Sequence, residues 1–321
     1  MIRILMLAAL ISAPSASAAK PAPKPATNLA YQYYSRGVEL AGKKKWAEAL
    51  EKFQAAIDLN PTYVDSYIEW GRASVMTGRR REGLEKLSAA LAVARDGKDK
   101  ERLTKERDSL SDIFYTNETF QQYQNGLNYL RLERSGSAVE ALDKALKTEP
   151  DNVAVLLAYA HALQIEERRK EALAALERAF LLNEGNREVR MDLAEALLAQ
   201  NPERASQLLK PLLDPLEERV AWLQAQALSS LKRNREAIEF LRVNTEKNQQ
   251  WVYAPFWLGK LYALEVGGGW NARKYLMTFL RRSMPRGTPE SPEAQSPEAR
   301  KLRAARAEAE ALLTQVNRSL E

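Results

Sequence analysis

Between about residues 29 and 284, apolar positions recur three and four apart in short stretches broken by polar turns, the spacing of helices that bury one face. Two stretches align, Trp46 to Pro61 (WAEALEKFQAAIDLNP) and Ser137 to Pro150 (SAVEALDKALKTEP), with Ser137 opposite Glu48. Each carries a small residue (Ala49, Ala138), a bulky one four later (Phe53, Leu142), alanine three after that (Ala56, Ala145), and proline five further on. The same spacing recurs at Gly83/Leu87/Ala90, Ala172/Leu176/Ala179, Ala205/Leu209/Leu212 and Ala237/Leu241/Asn244. Ala49 to Gly83 and Ala138 to Ala172 are both intervals of 34 residues. Upstream of each small residue sits another: Gly37, Gly71, Gly126, Ala160, Ala194 and Ala225, with Gly259 heading a last unit. The pattern predicts pairs of helices that cross closely. Small residues stand where backbones touch, and Phe53, Leu87, Leu142 and Leu176 fill the space between a pair and its neighbour. Pro61 and Pro150 end the second helix, because proline disfavours helical geometry in the residue before it. A single pair buries only part of its apolar surface, so the units must stack.

Two segments depart from the period. Asp96 to Asn117 is inserted, and Leu103, Leu110, Ile113 and Phe114 give it a helical apolar stripe. An extra helix there is expected to split the array into two units and five. Pro285 to Ser296 (PRGTPESPEAQS) reads as a linker, after which Ser296 caps a helix with Pro297 at its first position. Leu302, Ala305, Ala309, Leu312, Val316 and Leu320 line one face of that helix, as a solubilising cap or as a docking element for a partner. At the other end, Arg3, the apolar run Ile4 to Ile11 and Ala16-Ser17-Ala18 form an export-signal pattern with cleavage after Ala18. That run is well short of the roughly 20 residues that span a bilayer, so no stable membrane span is expected after cleavage. Lys20 to Thr27 (KPAPKPAT) reads as an extended tether.

The 34-residue pattern resembles the tetratricopeptide repeat, over roughly residues 29–284 in seven units. Those starting near Ala30, Val64, Thr119 and Val153 match well; those near Arg187, Glu218 and Val252 are degenerate. The resemblance implies an all-α solenoid, a right-handed superhelix of helix-turn-helix units, with the inserted helix and a C-terminal capping helix added. The expected organisation is signal 1–18, tether 19–28, units one and two over 29–95, inserted helix 96–118, units three to seven over 119–284, and linker with terminal helix over 285–321. It also implies a concave groove lined by fixed positions of each first helix. Position five gives Tyr34, Ile68, Tyr123, Leu157, Met191, Trp222 and Phe256, all apolar or aromatic. Position nine gives Val38, Arg72, Leu127, His161, Glu195, Gln226 and Lys260, a mixed polar row. Chaperone-binding members hold an acidic C-terminus with Lys at position five and Asn at nine; Tyr34, Val38, Ile68 and Arg72 depart from that clamp.

Composition narrows the chemistry further. The chain of 321 residues has no cysteine and one histidine, which excludes disulfides, thiol nucleophiles, cysteine-held metals, an N-terminal lipidated cysteine, and sites needing several imidazoles. A net charge of +6 is too diffuse to predict nucleic-acid binding. Gly267-Gly268-Gly269 lacks the lysine and hydroxyl residue of a phosphate loop and reads as a turn. His161 with Glu166 or Glu195 has the residue types of a base and its orienter, but no nucleophile motif accompanies them, and His161 reads as a non-catalytic groove or packing residue. Lys43-Lys44-Lys45 and Gly78-Arg79-Arg80-Arg81 read as solvated turns, or a basic edge for anionic partners, with Ser135-Gly136-Ser137 in the same turn of unit three. No cofactor, metal or catalytic residue is expected. The reading is an exported, periplasmic, non-enzymatic scaffold that binds a protein partner of the cell envelope through its groove, the other reading of the groove row being packing against the inserted or terminal helix of the chain itself. The alternative is a module for cell-wall polymer or exported polysaccharide, with Tyr34, Tyr123 and Trp222 stacking on sugar rings.

Overall fold

The computed structural model describes residues 25–284 and 296–321. The export-signal segment, the start of the tether and residues 285–295 of the linker lie outside them. Among the described residues there are sixteen α-helices, one short 3-10 turn and no strand. Seven consecutive pairs account for fourteen of the helices. They are α1 (Pro25–Gly42) with α2 (Trp46–Leu59), and α3 (Val64–Met76) with α4 (Arg80–Val93). After the inserted α5 (Gly97–Ser111) come α6 (Asn117–Arg131) with α7 (Ser135–Thr148), and α8 (Val153–Ile165) with α9 (Arg169–Leu182). Then follow α10 (Arg187–Leu197) with α11 (Pro202–Leu209), α12 (Glu218–Ser230) with α13 (Asn234–Lys247), and α14 (Ala254–Ala263) with α15 (Gly269–Arg282). A last single helix, α16, runs Pro297–Leu320. Backbone contacts gather into two compact units, one up to Val189 and one from Arg190, so the division falls in the first turn of α10 and not at the inserted helix.

The close crossings fall where small residues stand. A Cβ on Gly37 would lie 2.5 Å from Phe53 Cε1, and one on Gly126 2.5 Å from Leu142 Cγ. Phe53 and Leu142 are fully buried. The turn inside six of the seven pairs holds a residue of positive φ. Lys44, Gly78, Glu133, Glu167, Lys232 and Gly267 all have φ between 57° and 77°. In five of these turns the next N–H reaches back to the carbonyl five residues earlier, as Lys45 to Leu40 at 2.9 Å and Arg168 to Leu163 at 2.9 Å, which closes the first helix with a Schellman cap. The tight turn of unit three is therefore Leu132-Glu133-Arg134, and Ser135-Gly136-Ser137 form the first turn of α7. Asn201 opens α11, its side chain accepting from Arg204 N at 3.0 Å with Pro202 at the helix start.

Three further differences from the sequence reading have identifiable physical causes. First, α1 starts at Pro25, so residues 25–28 of the expected tether are helical; at the first helical position a proline loses no hydrogen bond. Second, α5 stops at Ser111, whose hydroxyl donates to the Asp108 carbonyl at 2.8 Å. Ile113 and Phe114 therefore leave the helix, and the Phe114 ring packs on Phe120 and Tyr123 at 5.3 and 5.1 Å. Third, Arg80 is no solvated turn residue: it is 2% exposed and pairs at 3.1 Å with Glu149, 1% exposed.

Helix α5 packs along α3 and α4 through Leu103 and Leu110, both buried. In the second compact unit, α16 lies against α14 and α15. Ser296 caps it, accepting from Ala299 N at 3.1 Å. Ala309 shares a core with Phe256, Leu276 and Phe279, edged by Leu302, Ala305 and Leu312, and Val316 is buried further along.

Candidate functional site

In units one and two the first-helix face is already occupied by the chain itself. Tyr34 is half-buried, its ring 6.1 Å from Phe53 and 5.2 Å from Tyr63. Burial pushes its hydroxyl up to about 12, reinforced by the carboxylates of Glu69 and Asp65. Ile68 is buried. Arg72 forms a two-point pair with Glu106 on α5, at 2.6 and 2.8 Å, and reaches Glu69 at 2.7 Å. Burial alone would lower Arg72, but the bonds to Glu106 and Glu69 outweigh it and hold the guanidinium above its ordinary value. Glu69 is pushed up by burial, against the pull of Arg72. One turn earlier, Arg102 of α5 pairs with Asp65 of α3.

Units three and four are different. Tyr123 is buried beneath Phe114, from the loop after α5. Beyond it Leu127 and Leu157 remain half-buried and His161 is exposed. These three bring an apolar floor and an imidazole to adjacent first helices of one compact unit, since α6 and α8 are in contact.

In the second compact unit the positions again divide. Met191 is buried. Glu195 is exposed and accepts from Arg219 at 2.7 Å, a guanidinium shared with Asp192 at 2.7 Å. Trp222 is half-buried and stacks on Trp257 with centroids 5.0 Å apart and planes 5° from parallel. Gln226 is half-buried. Phe256 is buried at the core with α16, and the neighbouring Lys260 pairs with Glu308 of α16 at 2.5 Å.

A family model for the tetratricopeptide repeat matches residues 30–63, which span α1 and α2 with the turn that joins them. The other pairs repeat that arrangement, with a positive-φ residue in the turn of six of the seven and the same Schellman closure in five. The chain carries tetratricopeptide repeats. Its fold is an all-α tetratricopeptide-type solenoid with an inserted helix and a closing one. An uncharacterized protein of Methanocaldococcus jannaschii is 41% identical over 61 residues, 19% of this chain and 71% of that protein. A tetratricopeptide repeat protein from Parabacteroides merdae covers 88% of this chain and 99% of its own at 12% identity, with a TM-score of 0.42. Pseudomonas aeruginosa pilF covers 75% of this chain and 100% of its own at 13% identity and a TM-score of 0.38.

Tetratricopeptide repeats make protein-binding scaffolds, and here positions five and nine of the first helices sort into covered and open ones. Reading the period from the sequence located the first-helix positions and left open that the inserted or terminal helix covers them; it put Phe114 in the inserted helix and did not name Glu106, Trp257 or Glu308 as covering groups. The separation of Arg72 and Glu106, 34 residues, is the repeat period itself and is the one signal that marks Glu106 in advance. Among the described residues no cluster of three His, Asp or Glu side chains is placed to hold a metal ion. No described helix is long and apolar enough to cross a membrane.

Proposed function

We propose that this chain is an exported, non-enzymatic scaffold that holds a protein partner in assembling or running a cell-envelope machine, such as a secretion, pilus or cell-wall system. Export rests on the Arg3, Ile4–Ile11 and Ala16-Ser17-Ala18 pattern, with the periplasm as the destination. The observation that carries partner binding is the contrast within the first compact unit. Arg72 and Ile68 are covered by α5 or buried, while Leu127, Leu157 and His161 stay partly or fully in solvent. Half-buried leucines beside a hydrogen-bonding side chain suit an extended or helical peptide, whose apolar residues fill the floor while the imidazole fixes register. Trp222, Gln226 and Glu195 offer a comparable aromatic and polar set in the second compact unit. Sugar stacking is less well supported. Tyr34 packs on Phe53 and Tyr63, Tyr123 is buried, and one face of Trp222 is taken by Trp257.

Affinity capture from an envelope fraction tests the reading, with a chain lacking residues 1–18 as bait. A Leu157→Arg variant that keeps the wild-type melting curve should lose the captured protein. Recovery of the same partners in the same yield from that variant and from Leu127→Asp would sink the groove assignment.

A further inference from the structure

Helix α15 differs from every other second helix of a pair. Each of the six others carries at least one carboxylate, whereas α15 (GWNARKYLMTFLRR) carries none and has four cations. The fold does not impose this. Ala272, Leu276 and Phe279 fill the core side of α15 and are fully buried. On the opposite side, Trp270, Arg273, Lys274, Met277 and Arg281 stand at successive three- and four-residue steps and so share one face. Trp270 is 66% exposed on that face and Met277 47%, and Met284, just beyond the helix, is 66% exposed. The Arg273 guanidinium lies 5.6 Å from the Trp270 ring centre. The turn that leads into α15 adds Leu264 and the fully exposed Val266. One carboxylate, Glu265, accompanies them in that turn.

We propose that this face of α15, with the Leu264–Val266 turn, is a docking surface for an anionic lipid bilayer. Single exposed apolar residues are ordinary, but a tryptophan, two methionines, a leucine and a valine gathered among cations are not. The cations select a negative surface. An indole with an apolar ring and an N–H donor suits the headgroup level of a bilayer. Val266 and Trp270 project from a turn and the outer side of a helix, so a protein partner would need a pocket for each. A fluid bilayer takes them in without shape complementarity. An acidic polymer would pair with the cations and leave these side chains in water. The proposal is independent of the groove, which lies on first helices, and rests on residues of the second compact unit alone.

Vesicle flotation tests it. A chain lacking residues 1–18 keeps every described residue and removes the apolar run Ile4–Ile11, which would itself partition into lipid. It should float with phosphatidylglycerol-containing vesicles and not with phosphatidylcholine alone. Each cation neutralised on the face should weaken partitioning by about fivefold, so Arg273→Gln with Arg281→Gln should weaken it by roughly twenty-five-fold. Trp270→Ser with Val266→Ser should weaken it as well, whereas Lys43→Gln with Lys45→Gln should leave it unchanged. Arg273 is half-buried and the other substituted residues are exposed, and circular dichroism verifies that the variants fold. The proposal falls if the parent chain does not float with anionic vesicles at low salt, or if the α15 variants float like the parent. It falls equally if the Lys43/Lys45 variant shows the same loss, or if polyglutamate displaces the chain and Trp270→Ser with Val266→Ser has no effect.

Discussion

Substituting Arg80 by methionine should loosen the junction between unit two and unit three more than any surface change could. The Arg80 side chain and that of Glu149 are 2% and 1% exposed, and they meet at 3.1 Å. Glu149 also accepts from Tyr115 N at 2.7 Å, from Thr116 N at 3.2 Å and from Asn152 Nδ2 at 3.4 Å. The Arg80 guanidinium donates to the Ile113 carbonyl and lies 4.3 Å from the centre of the Tyr115 ring. One carboxylate thus ties α4 to the loop between α5 and α6 and to the start of α8. Methionine keeps most of the apolar stem but leaves Glu149 as a buried charge with neutral partners only. Breaking a buried pair from one side costs about 3–5 kcal/mol. Adding Glu149→Gln removes the orphaned charge, and its amide oxygen can still accept from Tyr115 N. The double variant should therefore recover part of the loss, with a coupling energy of about 2 kcal/mol.

Repeat arrays need not unfold as one cooperative step, so a global melting midpoint would blur the effect. Amide hydrogen exchange at Tyr115 and Thr116 reads it locally. A loss of about 3 kcal/mol in the opening free energy corresponds to exchange faster by roughly a hundredfold or more at those two amides. Amides in the middle of α13, in the other compact unit, should be unaffected. If Arg80→Met left Tyr115 and Thr116 protected within about threefold of the parent, the pair would not be holding this loop, and the reasoning from burial would be wrong.

Three other outcomes follow from the same geometry. Gly126→Ala should destabilise by about 1–3 kcal/mol, because its Cβ would lie 2.5 Å from Leu142 Cγ; Gly136→Ala, with only Glu166 Oε1 at 3.9 Å, should be neutral or stabilising by up to about 1 kcal/mol in urea titrations. Glu218 accepts from Tyr253 N and Ala254 N at 2.6 and 2.8 Å where α14 begins; Glu218→Ala should cost about 1–2 kcal/mol and Glu218→Gln much less, measured by exchange of the α14 amides. Burial pushes the Asp112 carboxyl up to about 6, helped by Asp108 and Glu188 and opposed by Ser111 and Arg80. A carboxyl raised in the folded state binds its proton more tightly there, so Asp112 favours folding in acid and this contribution fades as pH rises from about 4 to about 6. Asp112 keeps more than a third of its surface in water, which limits the effect to under about 1 kcal/mol. Asp112→Asn should flatten that part of the stability profile.

What the sequence made legible is what the backbone period imposes locally. Gly37 and Phe53, or Gly126 and Leu142, are sixteen residues apart because two crossing helices leave room for only one side chain, so each pair announces itself. The stripe on α16 and its Ser296 cap were equally local. Arg80 was not legible, because its partner lies 69 residues away and nothing in Gly78-Arg79-Arg80-Arg81 separates the buried cation from its exposed neighbours. The groove was half legible for the same reason: the period fixes which face a residue is on, while what covers that face depends on a different helix.

The inserted helix shows how far the period reaches. Lys98 is 34 residues after Val64, Arg102 the same distance after Ile68, and Glu106 after Arg72. Helix α5 thus continues the phase of units one and two, and its side chains meet α3 at one-period spacing through Arg72–Glu106 and at nearly that spacing through Asp65–Arg102. It is the first half of a repeat with no second half. The residue at the small position, 34 after Gly71, is Lys105, which is exposed. A small residue is required only where a second helix crosses, and here none does. A search keyed to small residues therefore passes over α5 as an insertion. The half repeat does not end the stack, however: the Asn183 amide donates to Asp108 of α5 at 2.8 Å and to Ser111 Oγ at 3.4 Å, and Arg80–Glu149 ties α4 to the end of α7. Helix α5 is thus held from both sides within one compact unit. Its Glu106 covers the groove at Arg72, and the open positions begin in the next full pair, at Leu127.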